Sequence, residues 1–414
     1  MNNQIISRIG IFLLFRFLHL LFLFESDIYA LILRLFDSSK KNEEVEIFNI
    51  FARFRLDSTD ATRESDFLSF HEKSTIFEEI CEEGWFIYNI TNNYIYLVRI
   101  PSIDPDFFES SISIEKCSKL SNYLFENAEK LARIEIDTFE RAVKTLGKFQ
   151  GPVVMIHSTG CSGGTVAGKL LQACDNSKLS LLVQGEPPFL TSLSLLYTSM
   201  SIERLRSLCR STIRFSTLHQ KPNQTIVFKA RSSCTKIVPF IQARLPSIQH
   251  IFIGKHNYEN VISRLVMSTS SDFAVFSWIC WLMNLSKSLV DSVTSWKNLE
   301  EELVTRVGPN TDVEFAMAQV YGCLVNYKRH QHLFSGEMIM VDDLINDTVP
   351  NIRPLLNICQ VSDLAIPECI EWKRSAEDVL QSVFQTVKLT EEDASRIEHL
   401  VDLINRDLYM PSPL

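Results

Sequence analysis

A glycine-rich turn between a strand and a helix is the feature of this sequence best suited to bind a charged ligand. It lies in the stretch 151–171, GPVVMIHSTGCSGGTVAGKLL. The pattern predicts a buried strand at Val153–Ile156, a turn over Ser158–Thr165 and a helix that begins near Val166. At such a junction, backbone N–H groups and the positive end of the helix dipole converge on one point, where a phosphate-type anion binds.

The turn contains three glycines, Gly160, Gly163 and Gly164. Glycine adopts a positive φ without a Cβ clash and lets the backbone approach a ligand closely. A turn that only packs a helix onto a sheet would use its glycines in the same way, so this alternative stays open. The spacing from Gly163 to Lys169 also matches a nucleotide-triphosphatase loop, but Leu170 replaces the hydroxyl residue that would bind magnesium. We therefore expect Gly168 and Lys169 to lie on the helix surface.

Short apolar strands alternate with helical segments after this turn. The predicted strands are Ser180–Val183, Thr225–Lys229, His250–Gly254 and Met338–Val341. Helical patterns between them, as at Ile237–Leu245 and Tyr258–Met267, predict a three-layer α/β fold with helices on both faces of a parallel sheet. Right-handed crossovers place the strand ends together at one rim. That rim would collect the polar segments His157–Thr165, Gly185–Pro187, Ala230–Cys234 and Lys255–Asn257.

The chain before this sheet has a different pattern. Trp85–Ile100 consists of two aromatic and β-branched runs around Thr91–Asn93, which predicts a hairpin. Residues 114–146 alternate apolar and charged residues at helical spacing, which predicts helix. We therefore divide the chain into an apolar N-terminal helix at 1–37, a small α+β region at 38–147 and an α/β domain at 148–414.

The N-terminal segment is strongly apolar over residues 9–24, and a second apolar run covers residues 28–36. If residues 8–34 form one helix, most of its polar side chains fall within a sector of roughly 100°. These side chains are Arg8, Arg16, His19, Asp27 and Arg34. A narrow polar stripe suits membrane association of residues 8–36 in the interface, or docking in a groove, better than a simple span. A buried structural helix, a signal anchor and a cleaved signal remain as alternatives.

The overall composition limits the classes of partner. The 414 residues are 46% hydrophobic and 22% charged, with a net charge of −9, which predicts a folded protein without the positive field that gathers nucleic acid. The ten cysteines occur singly, without a CxxC pair or a cysteine–histidine cluster, so no metal site is predicted. Four N-x-S/T sequons permit a secretory route without requiring one. A Golgi or secretory-pathway membrane and the cytoplasm both remain open as locations.

Five motifs occur in an order that resembles the sulfotransferase superfamily. They are Ser158–Thr165 (STGCSGGT), Gly185–Pro187 (GEP), Phe228–Ser233 (FKARSS), Ile251–Ser263 (IFIGKHN followed by VIS) and Val341–Leu344 (VDDL). The resemblance covers about residues 148–410 and implies a phosphate-loop α/β fold. It also implies transfer of a sulfuryl group from 3′-phosphoadenosine-5′-phosphosulfate, without a metal, to a hydroxyl or amine of a carbohydrate or small molecule.

Carried over position by position, the resemblance implies a role for each site residue. The 5′-phosphosulfate would bind to the loop residues Thr159, Gly160, Cys161, Ser162, Gly163, Gly164 and Thr165. Lys255 and Ser263 would hold the 3′-phosphate. Glu186 would deprotonate the acceptor, and Lys229 would stabilise charge on the bridging oxygen.

Two positions depart from the family's pattern. Cys161 stands where a lysine or arginine is usual, which removes a cation where negative charge accumulates in the transition state. Lys255-His256-Asn257 replaces the usual arginine-aspartate-proline, and lysine lacks the bidentate fork of a guanidinium. A catalytically degenerate binding or membrane-docking module is therefore the alternative to an enzyme. A nucleotide or small-molecule kinase is a third reading, which Leu170 disfavours.

Overall fold

The computed structural model describes residues 3–36, 44–100, 119–175, 180–273, 275–376, 380 and 389–408. The chain forms two compact units. The first comprises Met1–Gly151, Gln184–Pro222 and Ala243–Leu245, and the second comprises Pro152–Val183, Asn223–Gln242 and Pro246–Leu414. Each of the two five-stranded sheets in the described part of the chain has its own topology.

The helices of the described residues carry the labels used below. In chain order they are α1 (Asn3–Phe36), α2 (Phe77–Ile80), α3 (Leu120–Asn127), α4 (Ile136–Val143), α5 (Gly164–Ala173), α6 (Pro188–Leu195), α7 (Ile202–Ser216), α8 (Val238–Arg244), α9 (Tyr258–Phe273), α10 (Val275–Leu285), α11 (Lys287–Val293), α12 (Trp296–Leu299), α13 (Glu301–Val307), α14 (Asp312–Arg329), α15 (Val341–Asn346), α16 (Thr348–Ile358), α17 (Ile366–Ser375) and α18 (Glu391–Leu408). Short 3₁₀ turns cover Glu64–Asp66, Leu196–Thr198, Ser232–Ile237, Gln331–Leu333 and Asp363–Ala365.

The first unit contains an antiparallel sheet. Its strands are β1 (Val45–Arg53), β2 (Phe67–Thr75), β3 (Trp85–Ile90), β4 (Tyr94–Arg99) and β5 (Lys130–Glu135), in the order β2-β1-β5-β4-β3. β3 and β4 form an antiparallel hairpin, in which Thr91 N donates a 2.9 Å hydrogen bond to Tyr94 O. The order leaves β2 and β3 as the edge strands of this sheet.

The helix predicted over residues 114–146 is wrong in its middle. Residues 114–118 lie outside the described residues, and α3 and α4 are helical, but Lys130–Glu135 form β5. This strand pairs with both β1 and β4, and Leu131, Ala132 and Ile134 are buried there. Pairing with strands distant in sequence overrides the local helical spacing.

The predicted parallel sheet belongs to the second unit, apart from Gln184 and Gly185 at the end of one strand, which belong to the first. Its strands are β6 (Val153–Ser158), β7 (Leu181–Gly185), β8 (Thr225–Lys229), β9 (Gln249–Gly254) and β10 (Ile339–Met340), in the order β10-β9-β6-β8-β7. β6 pairs in parallel with β8 and β9, and β10 pairs in parallel with β9. Every residue of β6, which lies between β9 and β8 in this sheet, is buried. The chain therefore leaves this central strand directly into the glycine-rich turn.

Candidate functional site

The glycine-rich turn joins β6 to α5, and two of its glycines have a structural reason. Gly163 adopts φ 90°, in the left-handed region, immediately before α5 begins at Gly164. A side chain at Gly163 would collide with Val341, and one at Gly164 would overlap Ser158 Oγ. Any larger residue would therefore displace the turn at the point where the helix N-terminus opens.

Lys229 reaches this helix N-terminus from the neighbouring strand. It is the last residue of β8 and is buried. A methyl group on Gly164 would lie 3.4 Å from Lys229 Cε, so the lysine side chain runs past the first residue of α5. The structure therefore brings together Lys229 and the loop, as the sequence predicted for the strand-end rim.

A buried hydroxyl in the turn has no hydrogen-bond partner among the described residues. This group is Thr159 Oγ1, whereas the Ser162 hydroxyl donates a 2.9 Å hydrogen bond to Thr159 O. Leaving a buried polar group unsatisfied costs about 1–3 kcal/mol. A ligand that accepts a hydrogen bond from Thr159 would remove this cost, so the turn fits a bound anion. Thr165 is half-buried in the first turn of α5.

Helix α9 lines the other side of the turn. Cys161, with φ 59°, places its Sγ 3.8 Å from Ser268 Oγ, and a methyl group on Gly160 would lie 3.4 Å from Leu265 Cδ1. Residues three and four apart share a face of a helix, so Arg264 lies on the same face as Ser268. Sequence reasoning did not find Arg264, although it directly follows a predicted site residue.

Lys255 follows β9 and is only 3% exposed. Burial lowers its pKa, and the nearby positive charge of Arg264 lowers it further, while Asp342 and Cys161 pull it upward. Two cations from different elements therefore lie close together beside the loop. Their mutual repulsion would fall when an anion binds between them.

Ser263 lies on α9 and is buried, and its hydroxyl donates a 2.9 Å hydrogen bond to Glu259 O within the helix. The hydroxyl proton is thus already used inside α9. Only the oxygen lone pairs of Ser263 remain for another partner. The predicted contribution of Ser263 to phosphate binding stays a prediction.

The late VDDL motif contacts the loop, but not as the end of a strand. The strand predicted over Met338–Val341 is shorter, because β10 covers Ile339–Met340 and Val341 begins α15. From this helix, Asp342 Oδ2 accepts a 3.0 Å hydrogen bond from His256 N, and Asp343 Oδ1 lies 3.2 Å from His256 Nε2. These contacts hold the segment that carries Lys255.

The remaining predicted residues have mixed outcomes. His157, the first residue of the rim segment His157–Thr165, is buried, and its Nε2 is hydrogen-bonded to His250 Nδ1 at 3.0 Å. The surface position predicted for Lys169 is wrong, because this residue is 6% exposed. Glu186 directly follows β7 with φ 47° and belongs to the first unit, whereas the loop belongs to the second. The role of Glu186 stays a prediction.

Helix α17 packs against α5 at Leu170, the residue after Lys169. Cys369 Sγ on α17 donates a hydrogen bond of 3.3 Å to Leu170 O, and Leu170 itself is buried. The position after Lys169 therefore offers an apolar side chain in the core, where a triphosphatase loop needs a hydroxyl. Among the residues described, no group of three or more histidine, cysteine, aspartate or glutamate side chains could hold a metal ion.

Comparisons with known proteins add only distant likenesses. No protein-family model matches the chain, and no curated protein matches it. One similar solved structure is a sulfotransferase domain from the curacin biosynthetic pathway, with a TM-score of 0.32 and 11% identity over 62% of this chain and 99% of that chain. Another is the sulfotransferase STF9 from Mycobacterium avium, with a TM-score of 0.35 and 10% identity over 74% of this chain and 87% of that chain. At these TM-scores the likeness carries no argument about activity, so function is argued from the site.

Proposed function

We propose that this chain is a sulfotransferase-like protein, in which helices cover both faces of the parallel sheet. It transfers a sulfuryl group from 3′-phosphoadenosine-5′-phosphosulfate to a hydroxyl or amine of a carbohydrate or small molecule. One observation carries the proposal: Lys229, Lys255 and Arg264, from three different elements, lie around a glycine turn at a helix N-terminus. The donor carries a 3′-phosphate and a 5′-phosphosulfate on the same ribose, so it needs positive charge at two separate positions.

The residues around the turn divide into two anion subsites. The backbone N–H groups of Thr159–Thr165, with Thr159 Oγ1 and Lys229, would hold the 5′-phosphosulfate. Lys255 and Ser263 would hold the 3′-phosphate. The donor supplies the sulfuryl group, and the protein supplies positive charge around the oxygens that become more negative during transfer.

Arg264 offers a positive charge that the loop itself lacks. Cys161 takes the place of the usual loop cation, and its Sγ contacts Ser268, one helical turn after Arg264. A guanidinium carried by α9 therefore lies near the same part of the loop from a different element. This arrangement supports an enzyme over a module that has lost its loop cation.

A non-catalytic binding module is the second candidate, and Cys161 is the observation that favours it. Cys161 provides no cation at the loop, so a nucleotide could bind without being activated for transfer. A kinase is disfavoured, because the buried Leu170 provides no oxygen ligand for magnesium. The two remaining candidates differ in whether transfer follows binding.

The binding test is a calorimetric titration of the full chain with 3′-phosphoadenosine 5′-phosphate, beside a titration with ATP and magnesium. We expect saturable binding of the first nucleotide, weakened at least tenfold by Lys255→Ala and by Arg264→Ala. The matched control is Lys328→Ala, which removes an exposed lysine on α14 of the same unit and should leave affinity unchanged. Absence of binding at millimolar concentration would overturn the proposal, and tighter binding of ATP would favour a kinase.

The transfer test uses radiolabelled 3′-phosphoadenosine-5′-phosphosulfate with a panel of hydroxyl and amine acceptors. If Glu186 is the base, Glu186→Gln should lower kcat by roughly 10²–10⁴-fold while nucleotide affinity stays unchanged. Nucleotide binding without transfer to any acceptor would support the binding module instead. An unchanged kcat in Glu186→Gln would assign the base to another residue.

A further inference from the structure

Helix α1 buries two polar side chains against the rest of the first unit and exposes many of its apolar side chains. His19 and Ser26 are buried, whereas large apolar side chains between residues 11 and 24 are exposed. Within α1, Ser7–Tyr29 has a mean hydropathy of 1.9 and is long and apolar enough to cross a membrane by length and composition alone. An ordinary surface helix of a soluble protein has the opposite orientation.

The buried polar side chains of α1 contact the edge strand β2. His19 Nδ1 donates a 3.0 Å hydrogen bond to Phe67 O, and Ser26 Oγ accepts a 3.1 Å hydrogen bond from His71 N. Edge strands carry backbone groups that would otherwise remain unpaired, and a covering helix satisfies them. His19 of the polar stripe, together with Ser26, therefore faces the sheet edge.

Ring contacts and an ion pair extend this docking along the helix. Phe15 contacts Phe54 with ring centroids 5.7 Å apart, and Tyr29 contacts Phe70 at 5.4 Å. Asp27 on α1 lies 2.8 Å from an Arg133 nitrogen on β5. Contacts spread over several turns fix which side of α1 faces outward.

The outward side forms a continuous apolar strip. We define the apolar strip as Ile11, Leu13, Leu14, Phe17, Leu20, Leu21 and Phe24. Every exposed side chain from residue 11 to residue 24 belongs to it, and the exposed charged residues Arg8, Glu25 and Asp27 lie beyond its two ends. At about 1.5 Å per residue the strip is roughly 20 Å long. The further exposed apolar side chains Ile28, Tyr29 and Ile32 follow it beyond the charged residues Glu25 and Asp27.

We propose that the apolar strip inserts into one leaflet of a lipid bilayer while α1 stays docked on β2 and lies in the plane of the membrane. A span would pull Arg16 and His19 away from the protein into hydrocarbon, which is costly for charged and polar groups. In-plane insertion keeps these contacts and places the flanking charges at the aqueous boundary.

The composition of the strip favours lipid over a second copy of the chain. A protein–protein interface carries about one hydrogen bond per 100–200 Å² of buried area, and its rim is polar. The exposed side chains from residue 11 to residue 24 contain no hydrogen-bonding group. Hydrocarbon chains require none.

The same composition identifies the kind of membrane. The strip is uncharged and the chain carries a net charge of −9, so attraction to anionic headgroups does not drive the binding. Burial of apolar area is sufficient. Binding should therefore occur on zwitterionic phosphatidylcholine vesicles and persist at high salt.

The experiment is flotation of the full-length protein with phosphatidylcholine vesicles at high salt. We expect the protein to float, and the double variant Phe17→Glu/Leu21→Glu to lose at least tenfold of the bound fraction. These side chains are 59% and 49% exposed, so their replacement should leave the thermal unfolding temperature unchanged. The matched control is Phe51→Glu on β1, which is 66% exposed and lies outside the strip.

Three results would overturn the proposal. The first is no flotation of the original protein, and the second is equal flotation of the double variant. The third is a lipid-independent dimer in sedimentation velocity that Phe17→Glu/Leu21→Glu dissociates, without any vesicle binding. An N-terminal tag should also remain accessible to protease outside sealed vesicles, because a tag protected on the inner side would show that α1 crosses the bilayer.

Discussion

Two buried cations, Arg55 in the first unit and Lys255 at the candidate site of the second, have pKa values shifted in opposite directions. In the first unit, Arg55 Nε lies 3.4 Å from Asp66 Oδ2, and the Tyr88 hydroxyl donates a 2.7 Å hydrogen bond to the same oxygen. Burial by itself lowers the pKa of Arg55, but the negative charge of Asp66 and further groups outweighs burial and raises it. The charged form of Arg55 is thus stabilised within the fold.

For Lys255 in the second unit, the contributions that lower the pKa outweigh those that raise it. Burial and the charge of Arg264 lower its pKa, and the opposing effects of Asp342 and Cys161 are smaller. An arginine next to a carboxylate completes a structural contact, whereas a lysine held beside an arginine gains from an added anion. Burial of a cation therefore does not by itself mark a binding site, because its neighbours decide whether the charge is already compensated within the fold.

The strongest way to test this comparison is to remove the carboxylate from the first unit. Asp66→Ala should lower the free energy of unfolding by about 3–5 kcal/mol, because Arg55 is left as a buried charge without its carboxylate. Urea denaturation at pH 7 measures the change. Hydrogen exchange should show the loss of protection in the antiparallel sheet.

The matched control for Asp66→Ala is Glu72→Ala in the same unit. Glu72 and Lys130 form an exposed ion pair at 2.8 Å, which contributes about 0–1 kcal/mol. If the two variants lose equal stability, Asp66 does not compensate a buried charge and the first half of the comparison is wrong.

A second prediction concerns the turn that positions the cations of the second unit. Gly163→Ala should cost about 3 kcal/mol, because alanine there combines an unfavourable left-handed φ with a collision against Val341. The same variant should abolish detectable binding of 3′-phosphoadenosine 5′-phosphate. Chemical denaturation and calorimetry measure the two effects.

Gly308→Ala separates the two causes, since Gly308 has φ 57° but open space around its Cα. We expect a loss of about 1 kcal/mol there, from φ alone. Replacing Val341 by alanine in the Gly163→Ala background should restore part of the stability. Equal losses in the two glycine variants would mean that the turn is not held in place by Val341.

The local sequence pattern predicts the strand–turn–helix junction and four neighbouring strands to within a few residues. Buried strands and glycine turns can be predicted in this way because their signals lie in consecutive residues. α5 begins at Gly164, two residues before the predicted start, because Gly163 in the left-handed region ends the turn there. Lys229 was predicted at the rim because it ends a strand of the same parallel sheet.

Features that depend on distant segments were not predicted. The contact of α5 with α17, made by Leu170 O and Cys369 Sγ, joins residues about two hundred positions apart in the sequence. The apolar spacing of the β5 residues predicts helix, because this spacing holds no information about the pairing of β5 with β1 and β4. Arg264 acquires its place beside Lys255 only when α9 packs against the loop. Sequence pattern locates elements, and packing decides which of their side chains meet.

A final and smaller predicted effect is the pH dependence of stability that follows from two buried histidines of the parallel sheet. His157 and His250 form a 3.0 Å hydrogen bond inside the second unit, and burial lowers the pKa of His250 from 6.5 to about 3. Burial and then His250 also lower the pKa of His157. Because the unfolded chain takes up protons first as pH falls, stability present above about pH 6.5 is lost progressively toward pH 3.

For His250 this linkage amounts to about 2 kcal/mol of lost stability at pH 5, with a slope of about 1.4 kcal/mol per pH unit. Urea denaturation between pH 7 and pH 4.5 measures the slope, which His250→Gln should reduce by about that amount whatever its stability at pH 7. His332→Gln, which replaces an exposed histidine in the same unit, should leave the slope unchanged. An unaltered slope in His250→Gln would mean that His250 takes up its proton to the same extent in the folded and the unfolded protein, and that the fold does not hold its imidazole neutral.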